Sequence, residues 1–319
     1  MCFLFDDPNR FDRDRLTERL TALAQRQIFV GASSWKYSGW LDQIYSRERY
    51  SSRGRLSKKR FDAECLTEYA EVFPTVCGDF AFYQFPTPEF WSNLFRRVPS
   101  HFQFAFKAPE QITRLEFPRI PRYGALAGRQ NESFLDVELL KSAFLAPLEK
   151  YHNHIAVLIL EFGALPSREL EYPERFLERL SQFLRLTPRG MRLAVEIRNP
   201  ELLTPDYFSC LREHGVAHVY NAWTRMPDLP EQIALPGSMT ADFIVCRALL
   251  RRSRTYEQAV AKFEPYAELQ DEYLPAREGL RELVQIDSGA PVPRFIFVNN
   301  RLEGNAPSTI EAILSSGEW

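Results

Sequence analysis

The sequence predicts an α/β protein, a single (β/α)8 TIM barrel carrying a short N-terminal helical extension. Three observations predict it. Eight short apolar runs recur along the chain, each bounded by polar residues, Gly or Pro. Longer stretches between them carry helical periodicity, the mark of βα units around a parallel sheet. The rival, a doubly wound open sheet, lacks its usual signs: Gly31-Ala32-Ser33-Ser34 stands where a Gly-x-Gly-x-x-Gly turn would follow the first run, and there is no P-loop.

Residues 1–27 form the extension. Leu16, Leu20 and Leu23 fall on one helical stripe, with Asp12 placed to cap it. Residues 28–319 form the barrel domain. Its predicted strands are 28–32, 75–82, 102–106, 155–160, 192–197, 217–220, 243–246 and 295–298. Their near-continuous hydrophobicity fits strands buried on both faces. The intervening stretches alternate as helices should, for example at Phe176, Leu180, Phe183 and Leu184. A length of 319 residues suits a barrel of about 250 residues with insertions, and no linker or repeat divides the chain.

Composition excludes several classes. With 45% hydrophobic and 26% charged residues, most of the chain is folded. No apolar run is long enough for a membrane helix. The start turns acidic at Asp6-Asp7, which argues against a signal peptide. Five cysteines without a Cys-x-x-Cys pair argue against a disulfide framework or zinc knuckle. These features predict a cytoplasmic protein without membrane partners.

Barrel chemistry sits at the C-terminal strand ends, and polar residues gather there. Trp35 and Tyr37 follow the first run, and Asp79 and Tyr83 belong to the second. Lys107, Glu161 and Glu196 end the next three, with Arg198 just beyond. Asn221 and Trp223, Arg247, and Asn299 with Asn300 end the last three. Any one of them could serve a buried ion pair; the set points to a site, because burying so many charges without a ligand is costly.

These residues fall in motifs. The chain reads Gly31-Ala32-Ser33-Ser34-Trp35-Lys36-Tyr37-Ser38-Gly39-Trp40, then Tyr69-Ala70-Glu71-Val72-Phe73, then Val76 to Tyr83 and Pro86. Phe104-Ala105-Phe106-Lys107-Ala108-Pro109, Val195-Glu196-Ile197-Arg198-Asn199-Pro200, Arg247, Phe297-Val298-Asn299-Asn300 and Glu303-Gly304 follow. In order and spacing the chain resembles the YecE-like family, domain of unknown function 72, whose members are TIM barrels. The resemblance implies the fold and a site, not a reaction. Cys77, Asp79, Glu161 and Asn221 stand where that pattern has Glu, Asn, Gln and Asp, which marks a divergent branch with a different substrate or none.

The histidines His101, His152, His154 and His214 lie near strand starts, and His218 lies inside a run, so a multi-zinc site is not expected. No cofactor is predicted, although Asp79, Glu161 and Glu196 could hold a single divalent cation. The leading reading is hydrolase-like acid/base chemistry on an anionic or sugar-containing substrate, with Glu196, Glu161 and Lys107 as catalytic residues. Glu161 and Glu196 end adjacent strands, and two facing carboxylates push their pKa values apart. On that picture Glu196→Gln relieves a like-charge pair and leaves stability similar or higher. Alternatively Glu161 pairs with Lys107, and Glu196 with Arg247. Lys107 is an anion ligand or a Schiff-base lysine. Trp35, Tyr37, Asp79, Tyr83, Arg198, Asn221, Trp223, Arg247, Asn299 and Asn300 would bind substrate, with Trp40 a further ring for stacking.

Net charge is −2, but two basic segments stand out. Residues 47–60 hold seven cations against Glu48, and 247–254 hold Arg247, Arg251, Arg252 and Arg254. Both follow strands, so both project from one face. They are solvated loops or a positive rim for an anionic partner, with nucleic-acid binding as the alternative function.

Overall fold

The structure, a computed structural model, describes residues 11–286 and 291–315. Eight parallel strands close into a barrel in which each strand pairs with the next in sequence and the last pairs with the first. They are β1 (Ile28–Ala32), β2 (Thr75–Gly78), β3 (Gln103–Lys107), β4 (Ile155–Glu161), β5 (Leu193–Glu196), β6 (Ala217–Ala222), β7 (Ile244–Ala248) and β8 (Arg294–Val298). The predicted (β/α)8 architecture is the observed one.

Strand side chains alternate between two cores, as period-2 geometry requires. Cys77, Ala105, Val157, Ile159, Ala194, Val219, Val245, Phe295 and Phe297 fill the barrel interior. Val30, Val76, Phe104, Leu158, Val195 and Ile296 face out and pack under the helices. Gly31 is required where β1 meets β2: a Cβ there would lie 2.0 Å from the Thr75 carbonyl oxygen.

Helix α1 (Arg13–Gln25) begins at Asp12, whose side chain accepts from the Arg15 amide at 3.0 Å. Its Leu16, Leu20 and Leu23 are buried, and the helix lies against β1 and α2 (Lys58–Val72). Residues 13–25 of the predicted extension are thus packed on the barrel wall, and its first ten residues lie outside the described ones.

One predicted strand is shorter than its apolar run. β2 stops at Gly78, the backbone turns helical at Asp79 (φ −92°, ψ −8°), and Phe80–Tyr83 form a helical turn. These residues are apolar because they roof the barrel mouth rather than line its wall. Phe80 packs on Trp35, Trp91 and Phe106 at ring separations of 5.5–6.0 Å. Among the described residues no helix is long and apolar enough to cross a membrane. Cys65, Cys77, Cys210 and Cys246 are free and buried.

Candidate functional site

Polar groups stand at or next to the strand ends. Register sets Glu161 beside Glu196 across β4 and β5, and Asn221 beside Arg247 across β6 and β7. Lys107 ends β3, and Asp79 follows β2. Barrel closure aims these ends at a common axis.

Asp79, Lys107, Glu161, Glu196, Arg198 and Arg247 converge into one network. Arg247 Nη1 donates to Glu161 Oε2 at 2.5 Å and also to Glu196 Oε2. Arg198 Nη2 lies 3.1 Å from Glu161 Oε2 and 2.5 Å from Glu196 Oε1. Lys107 Nζ lies 3.3 Å from Glu161 Oε2 and 3.4 Å from Asp79 Oδ1, and Arg247 Nη2 lies 3.6 Å from that same Asp79 oxygen. Three carboxylates thus balance three cations. Aromatic faces back two of the cations: Lys107 Nζ sits 3.7 Å over Phe82, and the Arg198 guanidinium 4.0 Å over Trp223.

The network fixes protonation. Burial pushes the Glu161 carboxyl up, but Lys107, Arg198 and Arg247 outweigh it and hold it well below the usual carboxylate range. Burial likewise opposes the Lys107 ammonium, and Glu161 and Asp79 overcome it, raising its pKa. For Arg247, Glu196 leads the groups that overcome burial. The expected pair of bare carboxylates with divergent pKa values is therefore replaced by carboxylates bridged by a guanidinium. These shifts favour an ionised Glu161 carboxylate and a protonated Lys107 ammonium.

Access follows a gradient. Glu196 has no exposed surface, Arg247 and Lys107 are almost fully buried, Glu161 is 14% exposed and Asp79 is 40% exposed. Several buried polar atoms of the mouth and throat have no hydrogen-bond partner: Asp79 Oδ1, Arg198 Nη1, Arg247 Nε, Asn221 Oδ1 and Ser33 Oγ. Buried polar atoms are ordinarily paired, so these five stand out as unsatisfied.

The remaining expected residues divide. Tyr83 is exposed beside the mouth with the Arg122 guanidinium 3.6 Å over its ring. Asn221 Nδ2 donates to the Ile197 and Val219 carbonyls, keeping the residue in the barrel throat. Asn299 caps the turn that follows β8, accepting from the Arg301 amide at 3.0 Å. Asn300 is not brought to the network: its Oδ1 accepts from Trp40 Nε1 at 3.2 Å and the Ala306 amide at 2.7 Å. Trp40, expected as a stacking ring, is fully buried by that bond and by Tyr37, Tyr45 and Tyr69. Tyr37 packs on Tyr266, and burial pushes its phenol up to about 12.

Among the described residues no three His, Cys, Asp or Glu side chains are grouped to hold a metal, and the three network carboxylates already face cations. His218 points out of the barrel toward Tyr207, whose hydroxyl lies 3.2 Å from Nδ1; burial lowers the imidazole pKa to about 3.

The basic segments are not a bare positive rim. Arg47 meets Asp42 at 2.6 Å, Arg49 meets Glu71, and Lys58 and Arg60 meet Asp62 and Glu64 one helical turn on. Arg251 and Arg254 share Asp271, and Arg252 meets Glu231. Linear counting missed acids that the fold brings in from outside each segment.

Sequence reasoning also missed Phe82 and Glu110. Glu110, buried, accepts from Arg114 Nε, Arg122 Nη2 and Tyr123 Oη at 2.8–3.2 Å, tying the loop after β3 beside Tyr83. A signal was present: Glu110 directly follows the Lys107-Ala108-Pro109 motif.

A family model described as protein of unknown function DUF72 matches residues 29–318. The chain belongs to the DUF72 family. A DUF72 family protein from Thermotoga maritima is similar at 20% identity and a TM-score of 0.55, covering 90% of this chain and 96% of its own. Another from Enterococcus faecalis is 15% identical with a TM-score of 0.55, covering 92% and 97%. At these identities the likeness shows the fold alone. No curated protein matches the chain. Both matched chains are spanned almost entirely, so the DUF72 fold here extends over the barrel and every network residue.

Proposed function

We propose that this DUF72 protein binds the oxyanion group of a small-molecule substrate at the barrel mouth and runs hydrolase-like chemistry there. One observation carries the reading. The Oδ1 atom of Asp79, the most exposed network carboxylate, rests against two buried cations without a hydrogen bond. A substrate phosphate or carboxylate would take its place on Lys107 and Arg247, and would also reach the unpaired Arg247 Nε and Arg198 Nη1. Arg forks suit such oxyanions, and a protonated lysine supplies a point charge. Acidic and phosphorylated sugars carry such a group.

The roles follow from access and charge. Glu196 is sealed and holds the two guanidiniums in place. Glu161 stays ionised and positions Lys107, Arg198 and Arg247. Asp79, once displaced from the cations, is the carboxylate free to take a proton from an attacking water and to return it to the leaving oxygen as the scissile bond breaks. The catalytic role expected at Glu196 thus moves outward to Asp79. The acids that meet both basic segments favour a small ligand over a nucleic acid.

The test is calorimetric binding of phosphate and acetate, with turnover measured against phosphate monoesters and acidic glycosides. Asp79→Asn removes the competing anion, so it should bind the anions severalfold more tightly while losing turnover. Absence of anion binding in both proteins would overturn the reading.

A further inference from the structure

Beside Asp79, between the segments that follow β1 and β2 and residues 90–97, lies a cleft of about 390 Å³. That volume is in the range of small-molecule sites. Its walls are unlike the charged mouth. Trp35 forms the floor, edge-on to Phe80 at 6.0 Å, and Phe80 lies 4.8 Å from Phe90. Leu66 and Leu94 complete the apolar lining, with Asn93 at the rim. Phe90 is 38% exposed, an open aromatic face at the edge of a concave surface.

Asp79 belongs to both places. It lines the cleft, while its buried Oδ1 faces Lys107 and Arg247. A ligand whose oxyanion replaces that carboxylate on the two cations therefore has its next atoms at the cleft entrance. We propose that the ligand carries a flat aromatic group, and that this group lodges in the cleft against Trp35, Phe80 and Phe90. Phe80 touches Trp35 and Phe90, and the cleft that the three rings line offers edge and face partners to a fourth. A cavity for benzene needs roughly 150 Å³, so the cleft accepts one ring or a fused pair. Lys36 and Arg97 stand at the same cleft, where cations favour a π face over an aliphatic chain.

The inference rests on the oxyanion reading of the mouth, and the experiment separates the two. Phosphate is compared with phenyl phosphate, and acetate with benzoate, by calorimetry on the wild type, Phe90→Ala and Asn93→Trp. Both positions are exposed and lie outside the ion network, so the variants should keep the fold. Each aromatic ligand should bind the wild type at least tenfold more tightly than its simple anion. Phe90→Ala and Asn93→Trp should erase that gain and leave phosphate and acetate affinities within twofold. Simple anions that bind as well as their aromatic partners would overturn the cleft and keep the oxyanion site. Phenol supplies the neutral arm: phenol binding lost in Phe90→Ala, without any anion binding, would keep the cleft and overturn the oxyanion site. Failure of phenol and of every anion to bind overturns both.

Discussion

Arg247 separates Glu161 from Glu196: one guanidinium nitrogen donates to a carboxylate oxygen of each, between two strands whose register sets those carboxylates side by side. This arrangement explains how a barrel throat tolerates so much charge. Each ion loses water, and the loss is offset only where partners are close and signs balance. The same surroundings keep Cys77 inert, since burial pushes its thiol up to about 12 despite the nearby Arg247.

Removing one partner should therefore be costly. Glu196→Gln leaves Arg247 and Arg198 facing a neutral amide in a site with no solvent exposure. We expect a loss of about 3–5 kcal/mol in urea unfolding, the range for breaking a buried pair. The earlier expectation of unchanged or raised stability assumed two bare carboxylates in repulsion, and the guanidinium between them removes that premise. Adding Arg247→Met should recover part of the loss. Unchanged stability in Glu196→Gln would sink this account.

Much of this was legible in the sequence. Alternating runs and helical stretches specified the barrel, and strand ends marked Lys107, Glu161, Glu196 and Arg247 because closure forces them together. Two kinds of information were not legible. Polarity does not reveal depth, so Trp40 and Asn300, which bond each other under the loop after β1, looked like site residues. Charge counting along the chain does not see partners in space, so Asp271, which gathers Arg251 and Arg254 with Lys262, was invisible to it. The apolar run through Phe82 read as strand because a roof residue and a wall residue have the same hydrophobicity.

Acid should expose the Glu161 contribution. Its folded pKa is depressed below the unfolded value of about 4.3, so its stabilisation is complete above that pH and is lost as pH falls through the folded value. Glu161→Gln mimics the protonated state. The stability gap between wild type and Glu161→Gln should stay constant from pH 7 to 5 and narrow below about pH 4. A gap that is the same at pH 6 and pH 3 would contradict the depressed pKa.

His218 predicts a second pH dependence in a higher window. Burial lowers its pKa to about 3, so between the unfolded value of about 6.5 and 3 the unfolded chain binds a proton that the folded chain refuses. Stability must then fall as pH drops through that window. By pH 5 the loss is about 2 kcal/mol. His218→Gln keeps a neutral polar group near Tyr207 and should flatten the curve between pH 7 and 5. An equal slope in both proteins would assign the effect to other groups.

The basic segments give the last prediction. Of the seven cations in 47–60, Arg47, Arg49, Lys58 and Arg60 have carboxylate partners, while Arg53, Arg55 and Lys59 have no ion pair among the described residues. Exposed pairs are weak and a polyanion could displace them, but each displacement frees a carboxylate that repels the same phosphates. The three unpaired cations then set the limit. Each phosphate contact to a single strand contributes a salt slope of about −0.7, so log affinity against log salt should be no steeper than about −2. Changing Arg53, Arg55, Lys58, Lys59 and Arg60 to Ser should remove that weak retention and leave phosphate binding at the mouth unchanged, because none of the five belongs to the ion network. A wild-type slope near −5 for a single-stranded oligonucleotide, abolished by the five changes, would mean that the segment breaks its ion pairs to grip a nucleic acid and would reinstate that partner.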